Sequence, residues 1–300
     1  MREANDYRLF GLTLRSDLPL PELVRVDGVV DPDVRVVLAD SSMPQSGRGL
    51  GFAVEGVARF EVIGGSTIIV AVDPDSAPRN VRLYLLGSAM GMLLHQRQLL
   101  PLHANAIEID GKAYAFLGAS GAGKSTLAAA FQDRGYRVLA DDVCVIRFED
   151  NGRAMVAPGM PRLRLWRDSL EASGRDASAY PRSYAGDETW DKYDVGLPPS
   201  ATLADSVSLA SIFELRAADR FCVTGLGGMD AVSALMANTY RGYFVAEADG
   251  ARNHWQDCIR LAKSVPVMTF ARPLDFTQLD ACVSYLLSAI KAAASGHATG

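Results

Sequence analysis

The chain is poor in the residues that staple small folds. Its four cysteines, Cys144, Cys222, Cys258 and Cys282, form no CxxC pair. Neither a zinc-site spacing nor a disulfide framework is present, and buried free thiols in a reducing compartment are expected. Basic charge is also short: 30 Lys and Arg stand against 35 Asp and Glu, a net charge of -5 with a pI near 5.4. That balance opposes nonspecific attraction to nucleic acid or an anionic membrane, so neither is expected as a partner, and any anionic ligand needs a local site. Long hydrophobic runs are missing as well. The longest, 83–94, is broken by Gly87, Ser88 and Gly91 and is shorter than the about 20 residues of a membrane-spanning helix. Residues 1–6 lack the basic start and apolar run of a signal peptide. A soluble, cytoplasmic protein is the expectation.

What is present suits a folded chain. Hydrophobic residues make up 49% and charged residues 22% of 300, a globular balance with enough chain for one large domain or two smaller ones. From Tyr7 to Asp73 apolar residues mostly alternate, as in 34–38 and 57–63, and Gly64-Gly65 turns the latter into 67–72, a hairpin signal. Pro78 then opens a helix to about Gln98, with Val81, Leu85, Ser88, Ala89 and Met92 on one face. The chain therefore divides into a β-rich unit with its connecting helix (1–98), a second unit (99–294) and a disordered tail (295–300).

The second unit reads as strands 106–109 and 112–117, a helix over 124–134 ending at Gly135, strands 137–140 and 143–148, and strands 207–215 and 221–224. Helices 230–236 and 253–264, a strand 265–270 and a helix 275–293 complete it. Between 152 and 206 there is little helical periodicity. The polar stretch 168–194 reads as a mobile functional loop or as a segment assigned wrongly. So few helices between 134 and 228 disfavour a regularly alternating sheet. The expectation is a mixed α/β (α+β) fold around a curved mixed sheet with helices mainly on one side.

Gly118-Ala119-Ser120-Gly121-Ala122-Gly123-Lys124-Ser125 satisfies G-x-x-x-x-G-K-[ST], after the apolar strand 114–117 and before a helix opening at Thr126. Glycines let backbone N–H groups converge on a phosphate, Lys124 reaches the β- and γ-phosphates, and the Ser125 hydroxyl can ligate Mg²⁺. Gly118 to Thr126 are therefore the candidate residues for binding ATP. Eighteen residues past Lys124 stands Asp142, next to Asp141, at the end of strand 137–140. A right-handed crossover would lay that strand parallel to the one feeding the loop and bring both carboxylates to the phosphate end of the sheet. One could hold Mg²⁺ and the other take a proton from an attacking hydroxyl; an acidic turn is the plain alternative. His103, taken alone, reads more readily as a hydrogen-bonded structural residue than as a catalytic one.

Taken together, His103, the phosphate loop, 134–137 and Ala140-Asp141-Asp142 resemble the catalytic domain of bacterial HPr kinase/phosphorylase. That family phosphorylates a serine on a small carrier protein and shares its P-loop core with phosphoenolpyruvate carboxykinases. The resemblance is strong over 103–142 and general in layout to about residue 290. It implies His103 as an active-site histidine, Lys124 and Ser125 as phosphate and Mg²⁺ ligands, and Asp142 as acceptor of the target hydroxyl's proton. The family's downstream Mg²⁺-binding glutamate has no counterpart in 157–166, which holds no acid. Asp141 becomes the substitute ligand, and the reverse phosphorylase activity is not implied.

The N-terminal unit is unlike that of the carrier-protein kinases, so HPr itself is not the expected substrate. The whole chain is more similar to the HPr-kinase-like peptide kinases of lasso-peptide biosynthesis, which phosphorylate a serine at or near a precursor's C-terminus. HPr kinases are hexamers; the different N-terminal half leaves a homo-oligomer open here without requiring it. A peptide or small-protein acceptor bearing serine fits the basic cluster Arg162, Arg164 and Arg167. Solvated charges on a strand whose Leu163 and Leu165 face inward fit it equally. Lys192 and Tyr193 are candidate substrate contacts if 191–193 closes over the site, though an exposed loop tip is the plainer description. Trp166, Trp190 and Trp255 read as core or loop anchors rather than a stacking surface. Two further readings stay open: a nucleotide-binding regulatory or scaffold module without phosphotransfer, and a small-molecule kinase or carboxykinase relative.

Overall fold

The computed structural model describes residues 5–39, 49–198, 205–248 and 250–296. Of the expected disordered tail, Ser295 and Gly296 belong to the C-terminal helix Leu279–Gly296, and 297–300 lie outside the described residues.

The alternating residues of the first third build a seven-stranded mixed sheet. It comprises β1 (Asn5–Leu9), β2 (Leu12–Ser16), β3 (Val24–Arg25), β4 (Val34–Leu38), β5 (Leu50–Val54), β6 (Ala58–Ile63) and β7 (Thr67–Val72), in the order β3-β1-β2-β4-β7-β6-β5. The hairpin turns where glycine was expected, with Gly64 at φ 56° and Gly65 at φ 63°, a region that costs a residue with a Cβ. Helix α1 (Pro78–Tyr84), a π-helical turn (Leu85–Ala89) and α2 (Met90–Gln96) follow. The expected apolar face, Val81, Leu85, Ser88, Ala89 and Met92, is buried. The π-helical turn was not legible in the periodicity.

This layer does not close its own core. Val143, Val145, Ala157, Met160, Tyr240 and Phe244 of the later chain share its apolar cluster. The Phe10 backbone clamps the two parts, its N–H donating to Pro158 O at 3.0 Å and its carbonyl accepting from Arg147 Nη2 at 2.7 Å.

The second sheet contains β8 (Leu100–Leu102), β9 (Asn105–Ile109), β10 (Lys112–Leu117), β11 (Arg137–Ala140), β12 (Cys144–Phe148) and β13 (Ala154–Ala157). After a separate antiparallel pair, β14 (Arg162–Trp166) with β15 (Lys192–Gly196), come β16 (Val207–Ala217), β17 (Cys222–Leu226) and β18 (Val267–Arg272). Its order is β11-β9-β10-β16-β13-β12-β8. The long β16 is parallel to β10 on one side; on the other, its start pairs with β13 and its end with β18, which β17 flanks. A mixed α/β fold is thus what forms.

Helices cover both faces of this sheet, not mainly one. Tyr114 and Phe116 of β10 pack with Leu127 and Phe131 of α3 (Lys124–Asp133) and with Val283 and Leu286 of the C-terminal helix. Ala113, Ala115 and Leu117 pack with Val232 of helix Gly228–Ala237 and Leu261 of helix Ala251–Ser264. Alternation along one buried strand feeds two apolar layers; with both sides apolar, the sequence pattern could not reveal the second layer.

The stretch read as a mobile loop is structured. It carries α4 (Arg167–Ala172) and a turn at Ala177–Ala179 between β14 and β15, and Asn80 fastens it by accepting from Ala185 N at 2.8 Å and donating to Ala185 O at 2.9 Å.

Three cysteines are buried as expected, but Cys222 is exposed. Burial pushes the Cys144 and Cys258 thiols up to about 12 and Cys282 to about 11. An aromatic disulfide reagent at pH 8 is expected to titrate one thiol rapidly in the native protein and all four after unfolding; a Cys222→Ser variant should lose the rapid phase.

Candidate active site

The strand-to-helix loop between β10 and α3 curls through three glycines with positive φ: Gly118 (144°), Gly121 (83°) and Gly123 (78°). A Cβ at Gly118 would lie 3.2 Å from Leu215 O, and one at Gly123 would lie 2.5 Å from Arg272 Nη2. The curl is therefore held against β16 and β18. Arg272 Nη2 donates to Ala122 O at 2.8 Å, and Asn238 Oδ1 accepts from Gly118 N at 3.0 Å. Neither Arg272 nor Asn238 stood out in the sequence, because both reach the loop from over a hundred residues away. Lys124 is buried, its Nζ donating to Gly118 O at 2.6 Å and Ala119 O at 3.1 Å. Burial lowers its pKa, against the pull of Asp142 and Asp141. Thr126 Oγ1 lies 2.9 Å from Ser169 Oγ.

The expected crossover forms with one difference. Strand β11 runs parallel to β10, but β9 lies between them, antiparallel to both. Asp141 and Asp142 still emerge at the phosphate-loop end. Asp141 Oδ1 accepts from Ser125 Oγ at 2.9 Å, and Oδ2 accepts from Arg164 N at 2.6 Å. Asp142 adopts a left-handed backbone, φ 73°, uncommon for a residue with a side chain and tolerated best by Asn and Asp. Its carboxylate takes different partners: Oδ2 accepts from Arg164 Nη1 at 2.8 Å, and Oδ1 lies 3.5 Å from His103 Nδ1. His103 Nδ1 is also 3.1 Å from Asp142 O.

These surroundings drive the neighbouring acids apart. Burial, then the charge of Asp142, raises the Asp141 pKa. Burial would raise Asp142 too, but Arg164, His103, Lys192 and Arg162 outweigh it and hold it below the usual carboxylate range. His103 is lowered by burial and by Lys124, against Asp142, so the neutral imidazole dominates at pH 7.

Arg162 and Arg164 are neither solvated nor free. Leu163 and Leu165 do face the core, and the two arginines lie on the opposite side of β14, half-buried in an ion cluster around the buried Asp194. Asp194 Oδ2 accepts from Arg79 at 2.7 Å and Arg162 at 2.9 Å, while Oδ1 accepts from Ser183 Oγ at 2.6 Å. Arg167 binds Asp191 Oδ2 at 2.6 Å. Residues 191–193 are accordingly not an exposed loop tip: Lys192 and Tyr193 belong to β15, and Tyr193 is buried on the face away from the site, bonded to Arg167 and Asp191. Trp166, Trp190 and Trp255 are each exposed by about two-fifths rather than anchored in the core.

Two cavities meet over the loop. The first, about 600 Å³, is lined by Ser120, Gly121, Gly123, Lys124, Ser125 and Thr126. The second, about 900 Å³, lies between α1, the π-helical turn, 184–190 and 237–243. They share His103, Ser120, Asp142, Arg164 and Lys192. Arg162 and Tyr193 line neither.

No protein-family model and no curated protein matches the chain. Among solved structures, the Hpr(Ser) kinase/phosphatase from Coxiella burnetii is similar at 13% identity and a TM-score of 0.33, over 64% of this chain and 97% of that one. At that level of similarity neither fold nor function follows from it. Among the described residues, no helix is long and apolar enough to cross a membrane.

Removing one partner from a buried ion cluster strands the others, at about 3 kcal/mol or more. Asp194→Ala is expected to lower unfolding stability by about 3 kcal/mol in urea titrations. Burial works against the Asp194 charge, but Arg162, Ser183, Arg164 and Arg79 outweigh it, so its pKa is lowered. Its contribution is therefore full above about pH 4 and lost as acid takes the pH down through its folded value. The stability gap between wild type and variant should narrow over that acid range and not at neutral pH.

Proposed function

We propose that this protein is an ATP-dependent kinase that transfers the γ-phosphoryl group to a serine hydroxyl of a peptide or small protein, with ribosomal precursor peptides of the lasso type as first candidates. One observation carries the reading: Asp142 stands where a phosphate-loop cavity and a second, larger cavity open onto each other. A mere nucleotide binder has no need of a carboxylate at such a junction.

In this reading the loop amides and Lys124 bind the phosphates, and Lys124 turns from the loop carbonyls toward the charge that develops on the transferring group. An acceptor in the second cavity places its hydroxyl at Asp142. As the hydroxyl oxygen bonds to the γ-phosphorus, the bond to the bridging oxygen of ADP breaks, and the hydroxyl proton passes to the Asp142 carboxylate. Arg164 holds that carboxylate in place, and neutral His103 orients it from the other side. The low pKa of Asp142 keeps it ionised and weakens it as a base. That suits a loose transition state, in which positioning matters more than basicity.

Mg²⁺ fits the donors present. Ser125 Oγ and Asp141 Oδ1, 2.9 Å apart, are hard oxygens of the kind that complete its shell beside phosphate oxygens. Bound there, the ion would neutralise phosphate charge. The Ser125–Asp141 hydrogen bond is what it would replace, and the Arg164 N–H would keep the carboxylate aimed.

The test is phosphotransfer from labelled ATP to serine-bearing peptides. Asp142→Asn is expected to bind ATP normally and to lose transfer by about 10³-fold. Lys124→Ala is expected to lose both. Unchanged transfer by Asp142→Asn would remove that residue from the mechanism, and ATP binding with no transfer to any acceptor would favour the regulatory-module reading.

A further inference from the structure

The first cavity extends beyond what phosphate binding uses. Its far wall is largely apolar: Leu274 and Phe276 lie on the link between β18 and the C-terminal helix, Leu279 opens that helix, and Leu165 and Trp166 line the same cavity together with Asp168 and Asp275. Leu274 is 58%, Phe276 45% and Trp166 42% exposed, high values for large apolar side chains gathered in one concave site. Phosphates are bound by N–H groups and cations, so this wall serves some other part of a ligand.

The link is rigidly placed relative to the loop. Arg272 starts it, donating to Ala122 O at 2.8 Å. Asp275 Oδ1 then accepts from Thr277 N at 2.8 Å and Thr277 Oγ1 at 2.7 Å, and Oδ2 accepts from Gln278 Nε2 at 3.2 Å, which fixes the turn Phe276–Gln278. Phe276 is four residues from Arg272, at most about 14 Å along the chain. A single ligand can therefore touch both loop and wall.

Direction follows from which residues the cavities share. Asp142 and His103 lie at the junction with the second cavity, whereas Leu274, Phe276, Leu279 and Trp166 line only the first. A nucleotide with its terminal phosphate toward Asp142 sends its other end toward the apolar wall. We propose that Leu274, Phe276 and Leu279 form the base-binding site of the nucleotide, with the Phe276 ring as the surface on which the purine stacks. This rests on the nucleotide reading above and adds where and how the base is held.

Calorimetric titration with MgATP and with magnesium tripolyphosphate, which has the phosphates but no base, separates the two ideas. Stacking on an aromatic ring is worth about 1–3 kcal/mol by alanine substitution, so Phe276→Ala is expected to weaken MgATP by about tenfold. Its tripolyphosphate affinity should stay within about twofold of wild type. Phe276→Trp, which keeps a stacking surface, should retain ATP binding, and Leu274→Ala should repeat the selective loss to a smaller degree. Equal weakening of both ligands by Phe276→Ala, or no weakening of either, would overturn the base site while leaving the phosphate loop intact. If wild type bound neither ligand, the nucleotide reading itself would fail and the base site with it.

Discussion

Two adjacent carboxylates cannot both stay charged in a dry site unless something separates their environments. Here the separation is made in the backbone. The left-handed turn at Asp142 aims one acid at Ser125 of the phosphate helix and the other at Arg164 and His103. Arg164 then serves both: its N–H holds Asp141, its guanidinium holds Asp142. Strand β14 is thus bound to the end of β11 by the same residue that sets the charge of the site. A strained φ of this kind costs of order 1 kcal/mol or more, a cost the two charge-assisted hydrogen bonds offset.

That arrangement in turn requires Arg164 to be immobile, which is the task of Asp194. A guanidinium buried near a single carboxylate could swing between partners. Arg79, Arg162 and Ser183 saturate Asp194, so Arg164 meets it only at 3.8 Å and keeps its short bond for Asp142. The basic cluster visible in the sequence is therefore mostly structural. Only Arg164 among those three arginines faces the cavities.

How much could be read beforehand followed from whether the signal was local. The hairpin at Gly64-Gly65, the helix from Pro78, and the loop from Gly118 into α3 each rest on residues a few positions apart, and each forms where expected. Asp141 beside Ser125 was legible too, because the right-handed connection rule spans one helix and one strand. The failures are nonlocal. Strand β9 inserts between β10 and β11, and β15 pairs with β14 across a polar excursion of 25 residues (167–191). Arg272 and Asn238 arrive at the loop from distant strands and helices. Tyr193 turns away from the site because 192–193, expected as part of a loop, is the start of strand β15, whose successive side chains point to opposite faces.

The helical segment that packs on the N-terminal sheet is a structural part of the candidate site, which explains a helix that otherwise looks poorly designed. Glycines inside helices cost about 1 kcal/mol each, yet Gly87 and Gly91 both occur within the helical stretch after Pro78. A Cβ at Gly91 would lie 3.0 Å from the Tyr240 ring, and one at Gly87 3.3 Å from its hydroxyl. The glycines let segment 239–243 press against the helix, and the π-helical turn sits at that contact, as such turns often do at functional sites. The backbone of the same segment is tied to β8, Tyr240 N donating to Pro101 O at 2.9 Å. Tyr240 and Gly87 both line the second cavity, so one wall of that cavity comes from each sheet's side of the molecule. Losing the first layer would open that cavity while leaving the phosphate loop supported by β10, β16 and β18. The two cavities thus draw on different parts of the chain and meet at five shared residues, among them the acid, histidine and arginine that would act between them.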